Sequence, residues 1–243
     1  MKSVHSIASK GFTLQSNLYE LIPKQANVID LAAGTGIMTK LLVDSGYQNL
    51  IAVEPVENMR YELHRLLPHI PCLEGTAWKI PVDHDSQDGI VVAQAFHWFD
   101  DLPALREFHR ILRSGGHGVL VWNLESAQRS EWVAKLRNCY EVFDKDIPQF
   151  RKMGWRKVFD TEEANSLFKL PIQQCELFKN DFWVPKDHVW KRILSKSYIS
   201  CLDKAQQDEL EIKVNEIMKD VPTDDLGRVF YPHDTYLFYF EKK

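Results

Sequence analysis

The stretch Val28-Ile29-Asp30-Leu31-Ala32-Ala33-Gly34-Thr35-Gly36 constrains the fold more than any other part of this chain. A short apolar run without alternation reads as a strand buried on both faces. It runs straight into small residues, which let the backbone turn sharply and let a ligand approach without meeting a β-carbon. Ile37 to Val43 then has helical spacing, so strand, glycine turn and helix follow in order. The alternation recurs: Leu50 to Val53 reads as a strand, Val56 to Leu66 as a helix, Gly89 to Ala95 as a strand and Leu102 to Leu112 as a helix. A break is expected at Gly115-Gly116 before a further strand, Val119 to Trp122. Upstream, Leu14, Leu18, Leu21 and Ile22 recur at helical spacing within Phe12 to Ile22, and Pro23 closes that helix. Repeated β/α steps predict an α/β fold, a mostly parallel sheet with helices on both faces.

Beyond residue 125 the pattern is less regular. Glu131 to Phe143 and Glu209 to Met218 have helical periodicity, whereas Gln174 to Val184 and Asp234 to Glu241 read as strands. A single domain spanning 1–243 is expected, with a helical insertion inside 125–230 ahead of the last strands. In an open α/β sheet such an insertion lies over the carboxyl ends of the strands, where ligands bind, so it is the candidate substrate cover.

Charge narrows the partners. The formal net charge is −4 and no basic stripe interleaved with aromatics is present, which argues against a nucleic-acid substrate. Cys72, Cys139, Cys175 and Cys201 form no CxxC pair and read as reduced, mostly buried thiols. No apolar stretch reaches the length of a membrane span, and Met1 to Lys10 lacks a targeting pattern, so a cytoplasmic protein without membrane association is expected. Oligomeric state is not legible.

The glycine turn carries the chemistry. Glu54 ends the second strand eighteen residues after Gly36, where an acidic side chain can accept both hydroxyl hydrogen bonds of a ribose. A nucleoside-containing cofactor follows. A nicotinamide-dependent oxidoreductase would use the same two features, but its pyrophosphate cradle wants a third glycine where this chain has Thr39. A cofactor-binding scaffold without catalysis is the third possibility.

Asp30-Leu31-Ala32-Ala33-Gly34-Thr35-Gly36, Val53-Glu54-Pro55, Glu74-Gly75-Thr76-Ala77 and Gln94-Ala95-Phe96-His97-Trp98-Phe99-Asp100 resemble successive motifs of the class I S-adenosylmethionine-dependent methyltransferases. The likeness is greatest to the type 11 branch, which includes trans-aconitate methyltransferase-like enzymes. Leu112-Arg113-Ser114-Gly115-Gly116, Ser195-Lys196-Ser197-Tyr198 and Tyr231-Pro232-His233-Asp234-Thr235 extend it to nearly the whole chain. The resemblance implies a Rossmann-like, seven-stranded sheet and transfer of a methyl group from S-adenosylmethionine to a small-molecule acceptor, with a carboxylate or hydroxyl oxygen favoured. It places Asp30, Ala32, Gly34 and Gly36 around the methionine part, Glu54 on the ribose, Thr76 and Ala77 beside the adenine, and Gln94 with Ala95 at the sulfonium end. Ala32 replaces the usual glycine and is expected to fit with negative φ; Thr76 replaces a common aspartate.

His97, flanked by Phe96, Trp98 and Phe99, is the candidate catalytic base, set against a structural or acceptor-binding histidine. Trp132, Trp155, Phe182, Trp183 and Tyr198 are a candidate apolar acceptor region. His5 and His233 lie near the chain ends without a spaced partner that would make a metal ligand, and no metal is expected.

Overall fold

A computed structural model describes residues 13–243; Met1 to Phe12, and with them His5, lie outside the described residues. The helix α1 (Leu14–Leu21) starts at Thr13, whose side chain accepts from the Ser16 N–H while Ser16 reciprocates. Next come β1 (Asn27–Leu31), α2 (Ile37–Asp44), β2 (Asn49–Val53), α3 (Glu57–Leu66), the two-residue β3 (Cys72–Leu73) and β4 (Gln87–Ala93). The helix α4 (Leu102–Ile111) is capped by Asp101 and buries Ala104, Leu105, Phe108 and Ile111 along one stripe.

After α4 the chain enters β5 (Leu112–Glu125) directly. The expected break at Gly115-Gly116 is a bulge instead. Gln87 of β4 pairs with Leu112 and Gly89 with His117, so residues 113–116 are looped out and pairing resumes beyond them. Gly115, at φ +81°, supplies the left-handed residue the bulge requires.

The remaining elements are α5 (Glu131–Tyr140), α6 (Glu162–Leu167), β6 (Phe168–Gln174), β7 (Phe178–Lys179), β8 (Phe182–Pro185), α7 (Val189–Leu194), α8 (Ser197–Ser200), α9 (Lys204–Lys219), β9 (Arg228–Tyr231) and β10 (His233–Lys242). The main sheet has the order β3-β2-β1-β4-β5-β10-β6. Pairings among β1 to β5 are parallel and those of β10 antiparallel. It is the expected Rossmann-like arrangement with one addition: β7 also pairs with β10, which makes eight strands.

Three layers result. Leu18 of α1, its C-cap Ile22 and Leu42 of α2 cover Val28, Val91, Val119, Val121 and Leu237 on one face. On the other face Phe108 and Ile111 of α4, with Trp155 and Phe159, cover Ile29, Ile90, Leu120 and Trp122. A second core is built from α5, α7, α8 and α9 with the β8–β9 pair. It is tied to the carboxyl end of β5 by Lys196 Nζ, 2.8 Å from Glu125 Oε1, and by Arg137 Nη1, 2.8 Å from the Glu125 carbonyl. The helical material is thus divided by β6 rather than inserted as one block. No helix among the described residues is long and apolar enough to cross a membrane. The cysteines are free but less buried than expected: three are half-buried and Cys201 is exposed.

Candidate functional site

Three parallel strands end side by side, with Asp30 paired in register to Ala52 on one side and Val91 on the other. Asp30 is fully buried, and its Oδ2 accepts from Thr39 Oγ1 at 2.6 Å. Its other oxygen has no partner. Burial pushes its pKa up to about 7; the Thr39 bond opposes the shift and the nearby Glu54 carboxylate adds to it. Thr39 entered the sequence reading only as a missing glycine. Its position in the first turn of α2 lets it orient the carboxylate.

Ala32, Gly34 and Gly36 have φ of 55°, 56° and 90°. Ala32 therefore does not have the negative φ expected of it: alternating left-handed residues turn the chain here, and an alanine bears a conformation that costs an L-residue about 1–2 kcal/mol. A Cβ built on Gly34 would meet nothing within 4 Å, so this position borders open space. One on Gly36 would fall 2.9 Å from Leu63 Cγ, which gives that glycine a packing reason.

Glu54 is buried, and both its oxygens are held: the N–H of Gly34 donates to Oε2 and that of Val56 to Oε1, each at 2.9 Å. Arg60 donates to the carbonyls of Glu54 and Pro55 and to Glu74 Oε2, pinning the loop from outside. Thr76 and Lys79 exchange both backbone hydrogen bonds, which fixes the tight turn carrying buried Ala77 and half-exposed Trp78. The Trp78 indole donates to both oxygens of Asp101 at 3.0 and 2.9 Å, a tie that sequence spacing does not reveal.

At the end of β4, Gln94 has φ +60°; its N–H donates to the Val121 carbonyl and its side chain to the Asn123 carbonyl, both at 2.8 Å. Ala95 leads into a 3-10 turn over Phe96–Trp98. His97 in that turn is buried, and its Nδ1 accepts from Trp122 Nε1 at 3.2 Å. Burial lowers its pKa to about 4. The aromatic group expected to line an acceptor pocket divides: Trp155 packs against Trp122, Phe150 and Phe238, whereas Trp132, Phe182 and Tyr198 belong to the second core and Trp183 is half exposed. Among the described residues no cluster of His, Cys, Asp and Glu could hold a metal ion.

Two buried carboxylates lie near each other, Glu54 on the Gly34 N–H and Asp30 with an unpartnered oxygen, and Gly34 borders open space. That arrangement suits a nucleoside carrying ammonium and sulfonium charge and repels a pyrophosphate. The N–H groups of Gly34 and Gly36 are also spent, on Glu54 and on the Ala33 carbonyl, so they form no phosphate cradle. The residues fit S-adenosylmethionine and not a dinucleotide.

Comparison with known proteins agrees. The family model described as a methyltransferase domain matches residues 29–120. An uncharacterized methyltransferase-like protein of Schizosaccharomyces pombe is 28% identical over 83% of this chain and 76% of its own length. An uncharacterized methyltransferase of Mycobacterium bovis is 44% identical, with the match spanning 48% of this chain and 47% of that protein. Among solved structures, a putative type II methyltransferase from Anaeromyxobacter dehalogenans shares the fold at a TM-score of 0.67 and 18% identity, over 93% of this chain and 94% of that one. Over most of its length the chain is similar to methyltransferases, and residues 29–120 match their domain.

Proposed function

We propose that the protein methylates a carboxylate oxygen of a small molecule. The supporting observation is the hydrogen bond that Trp122 donates to His97. Trp122 donates to Nδ1, so the neutral ring carries its proton on Nε2 and offers a donor there, not a base. With its pKa near 4 the ring stays neutral at physiological pH.

S-adenosylmethionine, when bound, supplies an electrophilic methyl group on a cationic sulfur. The chain's own residues then have to orient an oxygen toward it. Gln94, tied to β5 by backbone and side chain, holds the end of β4 rigid, and positioning of this kind can carry much of the rate of a displacement. A carboxylate is already ionised and accepts a hydrogen bond from His97 Nε2. A hydroxyl needs a proton removed, and His97 does not take it. Net negative charge and the lack of a basic stripe favour a small acceptor over nucleic acid.

The test is incubation with methyl-labelled donor and a small-molecule cell extract, followed by mild alkali. A methyl ester releases its label as methanol. A label that stays on the product through alkali would refute carboxylate methylation.

A further inference from the structure

Two large polar side chains outside the cofactor seat are buried without partners. Tyr140 is 1% exposed and Tyr231 is fully buried, and neither hydroxyl makes a hydrogen bond. Buried hydroxyls left unmade cost free energy, so such a pair calls for a partner. Beside them Ser126 Oγ is likewise buried and unpartnered, and its N–H donates to the carbonyl of Pro232, the residue after Tyr231. Lys196 stands 4.9 Å over the Tyr140 ring and 2.8 Å from Glu125. Burial opposes ionisation of both phenols, and Glu125 opposes it further, so both hydroxyls keep their protons and remain donors.

Sheet geometry relates this cluster to the cofactor seat. Asp30 pairs with Val91, Val91 with Val119, and alternate residues of β5 (Val121, Asn123, Glu125) keep to that same face. Glu125 lies two residues, about 7 Å, beyond Asn123, whose carbonyl accepts from Gln94. The cluster therefore sits just past the end of β4, beside Gln94 and Ala95, where the resemblance puts the sulfonium end. Arg192 adds charge: it stacks 4.9 Å from the Phe182 ring centroid and 5.5 Å from that of Tyr231, and has no carboxylate partner among the described residues.

We propose that the Tyr140 and Tyr231 hydroxyls, with Lys196 and the unneutralised Arg192, form the acceptor subsite and bind an oxygen-rich anionic end of the methyl acceptor. This rests on the reading of a small anionic acceptor given above. Glu125 holds the Lys196 ammonium and offsets its charge, so two donors and the one uncompensated charge of Arg192 meet the anion.

The test uses the full chain with Tyr140→Phe, Tyr231→Phe and both together, a panel of small organic acids, and methyl-labelled donor. Removing hydroxyls that bond nothing in the folded protein should leave the Tm unchanged or raised. The double variant should raise the acceptor KM at least about tenfold, with S-adenosylhomocysteine affinity within about twofold of wild type. A wild-type KM in the double variant, or a lowered Tm with KM unmoved, would overturn the subsite and make the hydroxyls structural. Should the wild-type protein methylate none of the acids but label an alkali-stable product from extract, carboxylate methylation fails by itself. The double variant is then assayed on that product, and undiminished labelling overturns the subsite as well.

Discussion

Trp122 Nε1 donates to His97 Nδ1 at 3.2 Å, and this one bond decides which nitrogen of the ring carries the proton. Turnover by the wild-type protein should then show no limb near the ordinary histidine value of about 6.5. His97→Ala should lower turnover about ten- to a hundredfold through loss of a donor to a charged oxygen, and His97→Gln should recover part of it. The pH–rate profile at saturating donor decides. A wild-type limb near 6.5 that disappears in His97→Ala would restore the base.

Asp30 and His97 pull the stability of the cofactor-free protein in opposite directions. Asp30 has a pKa of about 7 when folded against 3.8 unfolded, so the folded state holds the extra proton and stability falls as pH rises from about 4 to 7. His97 has about 4 when folded against 6.5 unfolded, so stability falls as pH drops from 6.5 to 4. Asp30→Asn, which keeps an acceptor for Thr39, should stabilise the protein more at pH 8 than at pH 5, by about 2–3 kcal/mol at most, and raise the Tm accordingly. The same variant should bind S-adenosylhomocysteine more weakly, because a neutral amide replaces the charge that the proposed seat sets against the cationic amino group. Equal Tm changes at the two pH values would show that Asp30 is ionised throughout.

Glu54→Ala should weaken cofactor binding by about 1.5–3 kcal/mol through loss of charge-assisted bonds to the ribose. From sequence alone the fold is expected to survive untouched. The structure adds a cost, since the N–H groups of Gly34 and Val56 lose their acceptor. Calorimetry and thermal unfolding on the same sample should therefore both respond. A lowered Tm with unchanged affinity would make Glu54 a loop brace only.

Ala32→Gly should be neutral to stabilising, by up to about 1.5 kcal/mol. Relief of a left-handed alanine is worth about 1–2 kcal/mol, and the greater freedom of glycine in the unfolded chain takes back about 0.4–1 kcal/mol. Chemical denaturation measures it. Clear destabilisation would mean that the Ala32 methyl contributes packing that outweighs its strain.

The order of strands and helices through Trp122 was legible because each has an unbroken apolar run or a clean 3.6-residue stripe, as in Val28-Ile29 or Leu105-Phe108. Gly115 misled because a bulge and a chain break demand the same left-handed residue. That Asp30, Gly34 and Glu54 come together was legible because strand ends set all three. Thr39, Arg60 and the Trp78–Asp101 tie could not, since each depends on which side chains the fold brings together across distance. The paired hydroxyls of Tyr140 and Tyr231 lie ninety-one residues apart, and no local pattern marks either.

The cofactor seat is tested most directly by calorimetric titration of S-adenosylhomocysteine into wild type and Gly34→Ala, with thermal unfolding as a check on folding. Gly34 borders open space, so an added methyl group meets nothing in the protein and costs only the φ strain of about 1–2 kcal/mol. Its Cβ would occupy the path by which the cofactor approaches the backbone. Binding of one equivalent by wild type, at least about tenfold weakened in a folded Gly34→Ala, is the expected result. Undiminished binding by that variant, or none by wild type, would contradict the placement of S-adenosylmethionine between Asp30 and Glu54.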